Sequence, residues 1–309
     1  MQKKLRKTMK SLWKDRALVV MTLPATVYLI LFAFIPMTGV VLAFKKFDFS
    51  LGLYGSPWVG LKNFRMLFIS SDMFWRLTRN TVGYFLLHTA IGLVCNVSLA
   101  IALNELVFKR SAKYMQSIMI MPTFISYIAV TYIVEALLGA KNGMITKALA
   151  EAGMGRVNFY LEAGLWPLIL TIVKIWKDTG YGSVLYLSVL TGIDQEIYDA
   201  AAIDGASGWK KIRYITVPLL VPMMTVMTLL SVGGLMHSDT GLFYQVTKNT
   251  GALYKTTQVL DSYILDAIMS STDYTLTATV SFYQSVVGCL MVIISNLVVK
   301  KISPENSLF

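Results

Sequence analysis

Six apolar runs in the sequence are each long enough to cross a lipid bilayer as a helix. A bilayer core of about 30 Å requires roughly 20 apolar residues in a helix. The runs cover residues 17–44, 81–104, 114–138, 164–193, 214–236 and 275–299. Because every backbone polar group inside a bilayer needs a partner within the protein, these runs predict an all-α, polytopic membrane protein with six transmembrane helices.

The composition agrees with this prediction. Hydrophobic residues make up 55 % of the 309 residues and charged residues only 15 %, whereas a typical soluble chain is about 25 % charged. We therefore expect no soluble domain. The first run is too long for a cleaved signal peptide and no small-residue cleavage site follows it, so we expect it to remain. Cys95 and Cys289 lie inside apolar runs, where a free, buried thiol is the ordinary case.

Basic residues predict the orientation of the chain. The net charge is +11, but the basic residues flank the apolar runs and form no patch typical of nucleic-acid binding. Seven of them precede the first run against one acid, Asp15, which predicts a cytoplasmic N-terminus. Six spans return Lys300 and Lys301 to the same side. The bases in 105–113 agree with this orientation, whereas those in 45–80, an outer segment, count against it.

This topology divides the chain into three parts. Residues 1–16 are a cytoplasmic basic segment, 17–299 the six-helix domain and 300–309 a cytoplasmic tail. Apolar residues in the first part recur at helical spacing, which indicates either an amphipathic helix on the inner leaflet or a solvated basic tail; they are Leu5, Met9, Leu12 and Trp13.

The loop 194–213, between the fourth and fifth runs, carries the most informative motif. Asp194 can cap a helix whose alanines give a thin face, and the pair Asp204–Gly205 ends that helix. Ser207 can cap a second short helix, and Pro218 marks the start of the fifth span. The pattern predicts two short helices at an angle, projecting from the bilayer, with small side chains suited to docking against another protein.

The motif from Tyr198 to Ala206, with Pro218 a dozen residues later, resembles the Glu-Ala-Ala loop of type I ABC importer permeases. In that family the loop couples the membrane subunit to the ATP-hydrolysing subunits. The resemblance implies that coupling role for six residues here: Asp199, Ala200, Ala201, Asp204, Gly205 and Ala206. Asp199 stands where the family usually has glutamate, which keeps the charge and shortens the reach.

Weaker similarities extend over most of the chain. Residues 58–64 with 80–81, residues 120–122 and residues 239–257 are similar to carbohydrate-importer permeases, the last to the branch for oligosaccharides and polysaccharide fragments. The resemblance implies a bacterial cytoplasmic membrane location, no cofactor, and five kinds of partner: a second permease subunit, commonly a different chain, two ATPase subunits, an extracytoplasmic solute-binding protein, a sugar and the lipid bilayer.

The fourth run contains ionisable residues, which inside a membrane are candidates for function. Lys174, Lys177, Asp178 and Tyr181 recur at i, i+3, i+4 and i+7, which predicts one helix face toward a wet cavity. Trp176 adds an aromatic surface for a sugar. A structural ion pair between Lys174 and Asp178 is the alternative. If Asp178 leaves the lysines unneutralised, an anionic sugar is favoured, and Lys177→Met should abolish uptake while assembly survives.

Other polar residues in the runs have two interpretations. His88 and Asn96 either face the cavity or bond to a neighbouring helix. Glu135 lies near the outer end of its run, where an interfacial position is the ordinary explanation.

Several classes of protein fit the sequence less well. It contains no P-loop, no His-x-x-x-His pair and no Gly-x-Ser-x-Gly motif, so an enzyme is disfavoured and ATP hydrolysis is expected in a partner. An ion-coupled secondary transporter, with its ion at Asp178 or Glu135, remains an alternative, although corresponding broken helices in two repeated halves are not evident. An ABC permease for a solute other than a sugar is a further alternative.

Overall fold

A computed structural model describes residues 16–69, 72–106, 108–153, 155–270 and 274–302. Within these ranges the chain forms helices and turns and contains no strand, apart from an isolated antiparallel bridge between Lys45 and Trp58. The prediction of an all-α chain is confirmed for this part of the protein. The amphipathic segment predicted at the N-terminus and the tail beyond residue 302 lie outside the described residues.

The longer helices are α1 (Arg16–Phe44), α2 (Lys62–Ile69), α3 (Asp72–Asn104), α4 (Lys109–Ile120), α5 (Tyr127–Leu138), α6 (Met144–Glu151), α7 (Trp166–Leu190), α8 (Gln195–Ile203), α9 (Gly208–Val232), α10 (Leu260–Met269) and α11 (Tyr274–Ile302). Shorter helical turns cover Gly52–Gly55, Met121–Phe124, Phe159–Leu161, Ala163–Leu165, Gly241–Val246, Gly251–Leu253 and Tyr254–Thr257.

Four helices in the described residues are long and apolar enough to cross a membrane: α1, α3, α9 and α11. The predicted third span is broken. Its halves α4 and α5 are bent by 96° at residues 121–126, where Pro122 opens a 3-10 turn. The predicted fourth span folds as α7, a helix of 25 residues. It is not among those four helices because three charged residues, Lys174, Lys177 and Asp178, lie near its middle.

Residues 16–69 and 274–282 belong to one compact unit. Helix α1 buries none of its side chains within this chain before Thr38. The segment after it is more ordered than its polar sequence suggests. Asn63 donates to the carbonyls of Ala43 and Lys45, both at 2.9 Å. The buried ammonium of Lys45 donates to the Tyr54 carbonyl at 2.6 Å, so this segment folds back on the end of α1.

Residues 72–270 and 283–302 belong to the second unit. Its centre is the packing of α7 against α3 and α4, which glycines make close. A Cβ at Gly180 would lie 1.8 Å from the Met119 carbonyl oxygen of α4, and one at Gly182 would lie 2.4 Å from Nδ2 of Asn96 on α3. Only glycine fits these two positions without movement of a neighbour.

Helix α3 begins nine residues before the predicted span. It starts at Asp72, so residues 72–80, expected in an outer interfacial segment, are helical. Two polar residues of these turns bind the segment before α10. Arg76 Nη2 donates to Oε1 of Gln258 at 3.0 Å, and Asn80 donates to the Gln258 carbonyl at 3.0 Å. These hydrogen bonds fix the side chains of Arg76 and Asn80, whose positions the pattern of apolar residues does not predict.

Both cysteines are free, as expected, but only Cys95 is partly covered. Cys289 is exposed on α11.

Candidate functional site: a cavity beside α7 and an exposed elbow

A cavity of about 360 Å³ opens between α3, α7, α9 and the segment 237–243. All of its lining belongs to the second unit. Polar groups occur on each wall, and the ones that bear on chemistry are His88, Asn96, Lys174, Asp178, Thr228, Ser231, Ser238 and Asp239. Such a mixture of apolar surface and a few placed polar groups is typical of a small-molecule site.

Aromatic rings form one end of the cavity. The ring centroids of Tyr84 and Phe243 lie 4.6 Å apart, and the ring of His88 stacks on Phe243 at 6.2 Å. His88 Nε2 also lies 3.3 Å from the Thr171 hydroxyl. Both interpretations of His88 therefore apply, because it lines the cavity and also contacts the neighbouring helix α7.

A carboxylate stands on each of two cavity walls. Asp178 on α7 accepts a hydrogen bond from the Lys174 ammonium, at 2.5 Å. Asp239 caps the following turn, since its Oδ1 accepts from the backbone N–H of Gly241 at 2.9 Å. Among the residues that the structure describes, Lys174 is the sole lysine or arginine in this lining, and it is paired with Asp178. The argument for an anionic sugar required an unneutralised lysine in the cavity and is not supported here.

The five residues proposed for a substrate path do not lie together. Lys174 and Asp178 line the cavity. Trp176 and Tyr181 are exposed on other parts of α7, with 44 % and 63 % of their surface accessible. Lys177 is buried, at 6 % exposure, and its ammonium donates to backbone carbonyls at the bend between α4 and α5.

Residues 194–213 form a bent segment, here named the coupling elbow after the role that the sequence analysis expects for it. Asp194 caps α8 by accepting from the Glu196 N–H at 3.1 Å. After α8 the chain reverses through Gly205, whose φ is +75°. The N–H of Ala206 then donates to the Ala201 carbonyl at 2.9 Å, which closes the helix end.

The second arm of the coupling elbow differs from the prediction. Ser207 precedes its first residue, Gly208, but makes no side-chain cap. The arm is not a separate short helix, because it continues as α9 through a π-helical turn, Ile212–Thr216. A continuous helix therefore runs from the coupling elbow into an apolar span.

The surface of the coupling elbow is uncovered in this chain. Ile203 is 87 % exposed and Trp209 70 % exposed. Asp199 and its neighbour Ala200 are exposed as well. Large apolar side chains at the tip of a polar loop indicate a surface that contacts another protein.

Sequence reasoning missed part of the cavity. Asp239 and Phe243 enter the sequence analysis only through the resemblance of residues 239–257, yet they form a cavity wall. Thr228 and Ser231 on α9 were likewise overlooked. A usable signal existed for the α9 pair, since hydroxyl residues three apart share one helix face.

Glu135 is not merely interfacial. Its carboxylate pairs with the Lys248 ammonium at 2.5 Å, which ties α5 to the turn after Gly241–Val246. Lys248 and Asn249 both have positive φ, at 54° and 45°. The side chain of Asn249 holds this turn by donating to Asp266 at 2.6 Å.

Comparison with known proteins decides the family. Residues 89–304 match the model of the binding-protein-dependent transport system inner membrane component. The chain belongs to this family. It is thus a membrane-embedded transport permease and not an enzyme. The matched region contains the coupling elbow and most of the cavity lining, although Tyr84, Phe85 and His88 precede it.

Relatives of this permease extend over nearly its whole length. It is 28 % identical over 305 residues to the polygalacturonan/rhamnogalacturonan transport system permease protein YteP of Bacillus subtilis (strain 168), covering 99 % of this chain and 94 % of YteP. A crystal structure of a bacterial ABC transporter involved in import of the acidic polysaccharide alginate matches with a TM-score of 0.87 at 27 % identity, covering 96 % of this chain and 99 % of that one. The same transporter in complex with an alginate pentasaccharide-bound periplasmic protein matches with a TM-score of 0.85 at 27 % identity, covering 95 % and 97 %.

Proposed function

We propose that this permease translocates oligosaccharides or polysaccharide fragments through its cavity by alternating access, driven by ATP hydrolysis in partner subunits. The observation that carries the proposal is the wall of the cavity. An aromatic end at Tyr84 and Phe243 meets carboxylates, amides and hydroxyls that suit the faces and hydroxyl groups of a sugar. The similarity to permeases named for polysaccharide transport supports the same class of cargo.

The proposal includes six spans: α1, α3, the bent pair α4–α5, α7, α9 and α11. If α7 is one of the six spans, its three charged side chains must have partners inside the membrane. Lys174 and Asp178 are paired beside a polar cavity, and Lys177 is bound by backbone carbonyls, so none of them needs to face lipid. The basic residues before α1 support a cytoplasmic N-terminus, and six spans would return the C-terminus to the same side.

The coupling elbow is the proposed contact with the ATPase. Its exposed residues would carry ATP-driven motion into α9, which is continuous with the second arm and lines the cavity through Thr228 and Ser231. The complete assembly would contain a second permease subunit, two ATPase subunits and an extracytoplasmic solute-binding protein. Helix α1, which this chain leaves uncovered, is available for contact with another subunit or lipid.

We propose that the cavity holds its cargo through the hydroxyl groups of the sugar. Apart from its histidines, the described part of the lining holds one lysine and two aspartates, which is a slight excess of negative charge. Carboxylates accept hydrogen bonds from sugar hydroxyls and repel a uronate. If an acidic glycan is the cargo, its charges must be met by the second permease subunit.

The test is uptake by the assembled transporter in proteoliposomes with ATP inside. We expect labelled oligosaccharide to enter and Asp178→Asn to lower the rate by about tenfold, the effect of roughly 1.4 kcal/mol. Ser188→Ala on α7, outside the cavity lining, is the matched control and should leave uptake unchanged. Normal uptake by Asp178→Asn would remove this carboxylate from the path.

A second experiment distinguishes an ATP-driven sugar importer from the two alternative transporters. Uptake that continues without ATP and stops when a proton gradient is collapsed would indicate ion-coupled transport. Uptake of a solute other than sugar, with oligosaccharides failing to compete, would indicate a different cargo for the same type of permease.

A further inference from the structure

The bend between α4 and α5 is a place where backbone carbonyls gather inside the protein. Helix α4 ends in the 3-10 turn Met121–Phe124, and the chain then turns by 96° into α5. The carbonyl oxygens of Pro122, Thr123 and Ile125 all point toward α7. A helix C-terminus carries partial negative charge, which makes the bend a site for a cation.

Lys177 supplies that cation. Its ammonium donates to the carbonyls of Pro122, Thr123 and Ile125 at 3.2, 2.6 and 2.7 Å, so all three of its donors are used. It also lies 5.0 Å from the ring centre of Tyr127, the first residue of α5. The lysine is buried and makes no ion pair with a carboxylate within the described residues. Its charge is therefore held by the bend itself.

The bend in turn touches the wall of the cavity. Tyr127 packs on Gly241 so closely that a Cβ there would lie 2.2 Å from Tyr127 Cδ2. Gly241 opens the turn that carries Phe243, and its N–H donates to the Asp239 carboxylate. A change in the position of Tyr127 must therefore move the segment 238–243.

We propose that Lys177 is a positioning residue for transport: it keeps the bend in its present form and, through Tyr127 and Gly241, sets the cavity wall at 238–243. This assigns the lysine a role at a distance from the cargo, in place of a position on the path. Only the link to uptake rests on the proposed function, because the position of the wall can be measured without any substrate.

The test measures the wall directly. In the assembled transporter, with Cys95→Ala and Cys289→Ser, the variant Ser238→Cys places one thiol on the cavity wall, and its rate of alkylation by a neutral maleimide is measured. We expect Lys177→Met to raise that rate by about fivefold or more, since a loosened wall opens more often. Lys177→Arg keeps the charge but replaces the buried ammonium by a larger, planar guanidinium, so it should restore the rate only in part. Lys147→Met is the matched control, because Lys147 is exposed on α6, away from the bend.

Gly241→Ala tests the same route without touching the lysine. Its Cβ must displace Tyr127, so we expect a rise in alkylation similar to that of Lys177→Met. Because both variants act on one contact, the double variant should react no faster than the faster single variant.

Two results would overturn the proposal. One is an assembled Lys177→Met transporter whose alkylation rate equals that of the parent. The other is Gly241→Ala without effect, which also decides the matter if Lys177→Met does not assemble. Altered alkylation with normal uptake would leave the positioning role intact and instead count against the cavity as the transport path.

Discussion

The hydroxyl oxygens of Tyr198 and Thr216 lie 3.0 Å apart, so a hydrogen bond joins the first arm of the coupling elbow to the helix that enters the membrane. Tyr198 belongs to α8 and Thr216, which is buried, to the π-helical turn of α9. This bond gives α8 a second connection to α9 besides the chain itself.

Removing this bond should weaken coupling. Tyr198→Phe and Thr216→Val each delete one partner of a bond worth about 1 kcal/mol, so we expect substrate-stimulated ATP hydrolysis to fall by about twofold to fivefold. The double variant should be no worse than the worse single variant. Tyr214→Phe, on an exposed tyrosine, is the control. Equal stimulation in all four proteins would mean that the bond transmits nothing.

Gly205→Pro should uncouple the transporter while the protein remains in the membrane. Proline requires φ near −65°, whereas Gly205 has φ +75°. The substitution also removes the N–H that donates to the Ala202 carbonyl at 3.1 Å. We expect basal ATP hydrolysis to persist and stimulation by loaded binding protein to be lost.

The matched control for Gly205→Pro lies three residues later. Gly208 is the first residue of α9, where proline is tolerated, and Ser207 before it has the extended conformation that proline favours. Gly208→Pro should therefore keep stimulation close to normal. If Gly205→Pro and Gly208→Pro lower the stimulation of ATP hydrolysis equally, the backbone conformation at Gly205 is not the cause of the loss.

Gly180→Ala should destabilise the helix packing more than any surface change. Its Cβ would meet the Met119 carbonyl at 1.8 Å, and neither backbone can move without opening the α4–α7 contact. We expect a loss of about 2 kcal/mol or more, seen as a lower melting temperature in detergent. Gly83→Ala on α3, where a Cβ meets nothing within 4 Å, should be neutral or slightly stabilising. A Gly180→Ala protein as stable as the parent would refute the close approach.

Replacing Lys174 and Asp178 together should lower the yield of assembled transporter less than replacing either one alone. Each single neutralisation leaves one charge without its partner, which costs more than replacing both. We expect Lys174→Met and Asp178→Leu each to lower the yield of assembled transporter, and the double variant to recover most of it. A double variant that assembles less well than both single variants would contradict this account.

Much of the architecture follows from local sequence. Apolar runs of bilayer length predicted α1, α3, α9 and α11, and the cap at Asp194 and the reversal at Gly205 placed α8. These features depend on neighbours in the chain, so pattern and propensity suffice. The break in the third span was not anticipated, although Pro122 marks the residue where it begins, because a proline within an apolar run fits a kink as well as a sharp bend.

The sequence by itself determined that the chain is a helical membrane protein with an exposed elbow, since hydrophobic length and turn chemistry are local properties. Tertiary structure alone decided which way each charge on α7 points. Adjacent residues on a helix lie about 100° apart, so Lys177 and Asp178 meet different neighbours although one stripe contains both. Packing of α4 and α5 against α7 gives Lys177 three carbonyls to bind, and packing of α3 and α9 leaves Asp178 at the cavity.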